Sequence, residues 1–126
     1  MSAENPALDD KFAQHLKIEV LSCEEGHARA GLKVQPYFLN GAGFVHGGVI
    51  FTLADYVFAL AANAGGNPGL AVNSSVNFIK TGLPADELTA EAVLVSRSRK
   101  LGTYQVEVRN QNGDILARMQ TMAYFK

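Results

Sequence analysis

The residues best suited to chemistry lie in one short stretch, Asn40-Gly41-Ala42-Gly43-Phe44-Val45-His46-Gly47-Gly48, which leads to Asp55. Two glycines follow a histidine at what reads as a helix start. Glycine lets a ligand approach the backbone closely. The first N–H groups of a helix have no internal partner and carry partial positive charge, so they suit a developing oxyanion. A nearby carboxylate can act as nucleophile or general base. Together these parts suit acyl transfer. Gly47 and Asp55 are eight residues apart, about 12 Å along a helix axis. An oxyanion donor and an attacking group must each lie roughly 3 Å from the reacting atom. One helix cannot place both there. Two antiparallel copies can, with Gly47 of one facing Asp55 of the other, so the spacing predicts a site shared across a two-fold dimer.

Each residue also has an ordinary reading. Asp55 in an apolar helix can be a structural carboxylate with a buried donor, although a desolvated Asp is equally an expected functional group. His46 can cap the helix or fill a polar pocket, and it has no second histidine at ligand spacing, so no metal site is expected. Gly47 and Gly48 can ease packing, and Asn40 can be a turn residue. The basic run Arg97, Arg99 and Lys100 can be a solvated turn or a phosphate contact. Phe51, Phe58, Phe78 and Tyr104 read as core or pocket lining. Cys23, without an adjacent histidine, reads as inert.

The elements that position these groups follow from periodicity. Residues 5–15 read as a short amphipathic helix with Leu8, Phe12 and Leu16 on one face and Asp9 and Asp10 in its first turn. Ile18, Val20 and Leu21 mark one strand. Ala28, Ala30, Leu32 and Val34 alternate through a second, with Glu24-Glu25-Gly26 as the turn between. Pro36 to His46 reads as loop. Gly47–Ala64 is a nearly all-apolar helix, stopped by Gly65-Gly66-Asn67-Pro68-Gly69. The rest is β-structure: strands at Leu70–Ile79, Leu88–Ser98, Thr103–Arg109 and Ile115–Phe125. Turns fall at Gly82–Asp86 and Lys100-Leu101-Gly102, and Asn112-Gly113 reads as a type I′ hairpin. Helices first and hairpin-linked strands last argue for α+β with a largely antiparallel sheet. A curved sheet wrapped on the apolar helix leaves part of that helix bare, and a second copy would cover it.

The whole chain of 126 residues is expected to form one domain. Its net charge of −1 gives no field for nucleic acid. One cysteine excludes an internal disulfide and a cysteine metal cluster. The N-terminal MSAENPALDD lacks the basic and apolar regions of a signal peptide, and with the lone thiol this favours a cytoplasmic setting. The apolar helix is barely long enough to span a bilayer and carries a carboxylate near its middle, so burial inside the protein is the better reading than a membrane.

The run Asn40…His46-Gly47-Gly48 followed by Asp55 in Phe-Thr-Leu-Ala-Asp resembles the signature of hotdog-fold acyl-CoA thioesterases, in the PaaI-type phenylacetate-pathway branch. Asn63, Ser75-Val76-Asn77-Phe78, the Gly82–Leu88 turn and the basic hairpin resemble family features too, so the likeness runs from about residue 12 to the end. The resemblance implies a long central helix wrapped by a curved antiparallel sheet, and a dimer or dimer of dimers. It implies hydrolysis of an acyl-CoA to free acid and CoA without a cofactor. Gly47 N–H would polarise the thioester carbonyl and Asp55 of the partner would be base or nucleophile. Asn40 and His46 would orient water or thioester. Arg97, Arg99, Lys100 and Gly102 would contact the nucleotide part of CoA. Phe44 and Tyr56 would line an acyl pocket for an aryl or medium-chain group. Relatives can carry a hydroxyl early in the strand after the helix to support the acid. Ala71 and Val72 stand there instead, which leaves Asn73, Ser74 and Ser75 as the nearby polar residues, with Asn73 and Ser75 taken as substrate contacts. A non-catalytic acyl-CoA-binding module and a hotdog dehydratase or hydratase are the competing readings.

Overall fold

The computed structural model describes residues 5–126; residues 1–4, part of the leader reading, lie outside them. Six strands form one antiparallel sheet: β1 (Glu19–Glu24), β2 (His27–Lys33), β3 (Gly69–Phe78), β4 (Glu87–Arg97), β5 (Leu101–Arg109) and β6 (Ile115–Phe125). Their order across the sheet is β1-β2-β4-β5-β6-β3, so β1 and β3 are the edges. This is the α+β arrangement expected, with one long helix, α2 (Gly47–Asn63), packed on one face of the sheet.

Period-two alternation builds that face. Ala28, Ala30 and Leu32 of β2, Leu88, Ala90 and Ala92 of β4, and Tyr104, Val106 and Val108 of β5 are buried, while their neighbours along each strand point to the other side. Alanine at four of these positions keeps the floor low, so the bulky Leu53, Val57, Phe58 and Leu60 of α2 can sink fully between the strands. Phe58 meets Tyr104 edge to face at 5.3 Å between ring centres. The side of α2 away from the sheet is partly bare: Thr52, Asp55 and Ala59, three and four residues apart, form a half-exposed stripe. No helix among the described residues is long and apolar enough to cross a membrane.

The structure changes four details of the sequence reading. The N-terminal helix is two pieces, a 3-10 turn (Pro6–Asp9) and α1 (Lys11–His15), because Asn5 and Asp10 each cap a turn of their own. Asp10 itself has extended backbone, and its Oδ1 accepts from Ala13 N–H at 2.9 Å. The buried residues are therefore Ala7, Ala13 and Leu16, while Leu8 and Phe12 are exposed. Asn5 pins this strap to α2 by donating from Nδ2 to the Leu60 carbonyl at 2.8 Å. The Pro36 to His46 loop contains a short 3-10 turn, Pro36–Phe38. Strand β5 begins at Leu101, so the turn before it is Ser98–Lys100. At the Asn112-Gly113 hairpin only Gly113 has positive φ (+81°), whereas type I′ needs two such residues. The Asn110 side chain instead accepts from the N–H groups of Asn112 and Asp114, closing a longer loop.

At the far end of α2, Asn63 ties the helix to the start of β3. Its Nδ2 donates to the Ala59 and Gly69 carbonyls at 2.9 and 3.3 Å, and its Oδ1 accepts from Gly69 N–H at 3.0 Å. Asn63 and Gly69 are both buried. Replacing Asn63 by Ala strands a buried amide and carbonyl, and is expected to cost about 2–4 kcal/mol, read as a lower urea midpoint with an unchanged m-value.

Candidate active site

His46 is the N-cap of α2. It has extended backbone (φ −61°, ψ 132°), and its Nδ1 accepts from Gly48 N–H at 2.8 Å. In the neutral ring the proton then sits on Nε2, which is left as a donor. The His46 carbonyl accepts from Val49 and Ile50 at 2.9 and 3.3 Å. Of the opening N–H groups of the helix, only that of Gly47 has no acceptor among the described residues. Gly48 explains the second glycine: a Cβ there would lie 3.0 Å from His46 Nδ1, against the capping ring. Both the capping role and an oxyanion role thus fit the His-Gly-Gly run, on different N–H groups.

Asn40 fixes the loop that leads into this corner. Its Oδ1 accepts from Ala42 and Phe44 N–H at 2.9 and 3.1 Å, and its own N–H donates to the Phe44 carbonyl at 2.7 Å. The turn role is therefore filled by the oxygen, and the amide Nδ2 is left for a ligand. Phe44 sits exposed at the tip. Beside the helix start, Val45, Gly47, Ile50, Phe78 and Ile79 with residues 80–82 enclose a hollow of about 230 Å³.

Asp55 opens onto a different hollow, of about 510 Å³, walled by Pro6, Ala7 and Asp10 from the strap, by Phe58 and Asn63 from α2, and by residues 68–71. Its carboxylate has no hydrogen-bond partner among the described residues. Burial, and secondarily the charge of Asp10, hold its carboxyl above the ordinary carboxylate range. A desolvated, unpaired carboxylate is a stronger base than one in water. Within one chain, Gly47 and Asp55 face separate hollows.

The remaining candidates are dispersed. A bulge at Val72 shifts the phase of β3, so Ala71 faces the helix side beside Asp55 whereas Asn73 and Ser75 pair with Met122 and Gln120 on the outer face. Ser74 points inward and shares a 2.8 Å hydrogen bond with the fully buried Thr121 hydroxyl. Tyr56 is buried in the core and lines neither hollow. Arg97 is spent on the turn: its guanidinium lies 3.5 Å over the Phe125 ring and donates to the Ser98 and Arg99 carbonyls. Gly102 is buried where a Cβ would meet Phe125, Tyr104 and Arg97. Lys100 Nζ stands 5.7 Å from the Tyr124 ring, and the Arg99 side chain has no hydrogen-bond partner among the described residues. The Phe125 N–H bonds the Lys100 carbonyl and Lys126 N–H the Pro68 carbonyl, which sets this basic turn at the C-terminal end of α2. Asp10 was not singled out from sequence as a neighbour of Asp55. Its capping role has a local signal, an Asp before a short helical run, but its place in the hollow of Asp55 is set by long-range packing and has none.

A single long helix on an antiparallel sheet, with a glycine-opened N-terminus and one carboxylate on its bare stripe, defines the hotdog fold. The chain belongs to the thioesterase superfamily, whose match covers residues 42–117. It is 35% identical over 109 residues to the acyl-coenzyme A thioesterase PaaI of Escherichia coli K12, covering 86% of this chain and 78% of that protein. The structure of E. coli PaaI, from the phenylacetic acid degradation operon, matches with a TM-score of 0.92 and 32% identity, covering 94% of this chain and 86% of that one. A Streptococcus mutans UA159 protein bound to acetyl CoA matches with a TM-score of 0.83 and 30% identity, covering 86% and 88% of the two chains. The chain is a thioester hydrolase of this family.

The raised carboxyl of Asp55 makes a stability prediction. The folded state holds that proton more tightly than the unfolded state, so its contribution is unfavourable once pH rises above the folded value. Asp55→Asn is therefore expected to be more stable than wild type at pH 7. The gain should fade as pH drops back through the ordinary carboxylate range, measured by urea unfolding at a series of pH values.

Proposed function

We propose that the chain hydrolyses acyl-CoA thioesters, with an aryl or medium-chain acyl group, at sites shared between two copies. The observation that carries this reading is the split of the machinery along α2: an unclaimed Gly47 N–H at one end and an unpaired, desolvated Asp55 eight residues on, about 12 Å away. The bare stripe Thr52, Asp55, Ala59 lies beside the exposed edge strand β3, whose Leu70, Val72 and Phe78 are uncovered. A second copy seated antiparallel on this side extends the sheet through β3, covers the stripe, and sets the hollow at its own Gly47 against the hollow at Asp55.

In the combined site Gly47 N–H of one chain donates to the thioester carbonyl and stabilises the charge that develops on its oxygen. Asp55 of the other chain acts as base toward water or as nucleophile. In the base route water adds to the carbonyl carbon while Asp55 takes its proton; the carbon–sulfur bond then breaks with its electron pair on sulfur, and Asp55 returns the proton to release CoA as the thiol. Asn40 Nδ2 and His46 Nε2–H are the donors that orient water or thioester. The basic turn stands at the C-terminal end of its own helix, so antiparallel packing brings it toward the partner's Gly47 corner. Arg99 and Lys100 are its cations for the nucleotide phosphates, while Arg97 and Gly102 shape the turn. Pairing of two dimers into a tetramer and a cytoplasmic setting belong to the same reading.

Thiol release from a panel of acyl-CoAs tests the assignment. Asp55→Ala is expected to lose at least 100-fold in turnover while it still folds and dimerises, on the order of other deletions of a reacting base. Tight CoA binding without turnover in wild type would favour a binding module. Gly47→Pro removes the oxyanion donor alone, because proline is well tolerated at the first helical position and His46 already has the extended backbone that must precede it. Gly47→Pro and Asp55→Ala chains, each inactive, are expected to recover roughly a quarter of wild-type activity when co-refolded, since each mixed dimer has one intact site. Mixed dimers without activity would refute the shared site.

A further inference from the structure

The hollow at Asp55 contains a second carboxylate that comes from outside the helix, strand and loop described above as the catalytic parts. Asp10 lies on the N-terminal strap and lines the same hollow as Asp55. The strap is firmly placed. Asn5 donates to the Leu60 carbonyl at 2.8 Å, and Ala7, Ala13 and Leu16 are buried against the core. Asp10 is held in turn by its cap bond, Oδ1 accepting from Ala13 N–H at 2.9 Å. That bond leaves Oδ2 unengaged among the described residues. The rest of the hollow, Pro6 and Ala7 from the strap, Phe58, Ala59 and Asn63 from α2, and residues 68–71, has no ionisable side chain. Within one chain, and among the described residues, Asp10 is thus the one charged group that lines this hollow with Asp55.

We infer that Asp10 is a positioning residue for the reaction: the strap holds a fixed negative charge against the hollow so that Asp55 stays a strong base. The inference rests on the reading of Asp55 as the reacting carboxylate. Two like charges around one poorly solvated hollow disfavour ionisation of the more buried one, which, once ionised, is correspondingly more basic. The same charge is felt one residue further along the helix. The Tyr56 phenol is pushed up first by burial and next by Asp10.

The experiment compares wild type, Asp10→Asn and Asp9→Asn in the full chain. Asparagine caps a helix as well as aspartate does, so Asp10→Asn removes the charge and keeps the strap. Asp9 is exposed and paired with Lys11 at 2.7 Å, outside the hollow. The pH profile of kcat/KM is read on its acid side, where protonation of Asp55 shuts activity down. Asp10→Asn is expected to move that limb to lower pH. Relative to its own plateau it should be roughly two- to fivefold more active than wild type at a pH well below the wild-type midpoint, and Asp9→Asn should superimpose on wild type. Raised salt should shrink the difference. Coincident limbs for Asp10→Asn and wild type, or an equal shift in Asp9→Asn, would overturn the inference. Carboxyl-carbon NMR titration of Asp55 in the same variants gives a readout independent of turnover. If Asp55→Ala remains active, the reading of Asp55 as reacting group fails, while the NMR titration still decides whether Asp10 sets its proton affinity.

Discussion

Helix α2 must be buried, and one sheet can bury only one side of it. Ten of its seventeen residues are buried, and that sunken face is where the hydrophobic gain lies. Almost every other feature is arranged around this packing. Alanines in β2 and β4 let the helix approach closely. The Asn5 strap closes one flank, and Asn63 ties the far end to β3. What remains is a narrow stripe on which a carboxylate stands unpaired. The apolar surroundings that stabilise the helix are the same surroundings that desolvate Asp55, so the stability of the helix and the raised proton affinity of its carboxyl have one physical origin here.

The two ends of the helix do opposite electrostatic work. At its start, His46 and its carbonyl satisfy three of the opening N–H groups and leave Gly47 unclaimed. At its end, the amide of Asn63 uses both its donor and its acceptor sides on the chain that turns away. One residue thus satisfies the helix start through both its ring and its carbonyl, and among the described residues it leaves a single gap, at Gly47.

Much of this was legible in the sequence because the signals were local. Alternation of Ala28, Ala30 and Leu32 located β2. Ile115–Phe125 was found to the residue, and the apolar run from Gly47 located α2 within one residue of its end. The same applies to His46, whose place before two glycines announced a cap. The illegible parts depend on contacts between distant segments. Leu8 and Phe12 looked buried by periodicity, but Asn5 and Asp10 broke the helix and turned Ala7 and Ala13 inward instead. Strict alternation from the inward Ala71 would turn Asn73 and Ser75 to the helix, but the bulge at Val72 sends them outward and Ser74 inward. The basic run was visible as charge, while only the packed structure reveals that Arg97 is held by Phe125 and its own turn. The proximity of Asp10 to Asp55, forty-five positions apart, has no signature in either neighbourhood.

The strand order has a consequence for how the molecule comes into being. The edge strand β3 is made in the middle of the chain, but its one neighbour in the sheet is β6, the last strand. On a ribosome that adds about 5–20 residues per second, β3 waits roughly two to nine seconds for its partner to be synthesised. During that interval β3 lacks its neighbour in the sheet, which is the situation in which nascent chains meet chaperones or each other. Two neighbouring nascent chains would offer each other the same unpaired edge that a mature dimer would use, so assembly during synthesis could proceed from mutual shielding rather than from collision of finished subunits.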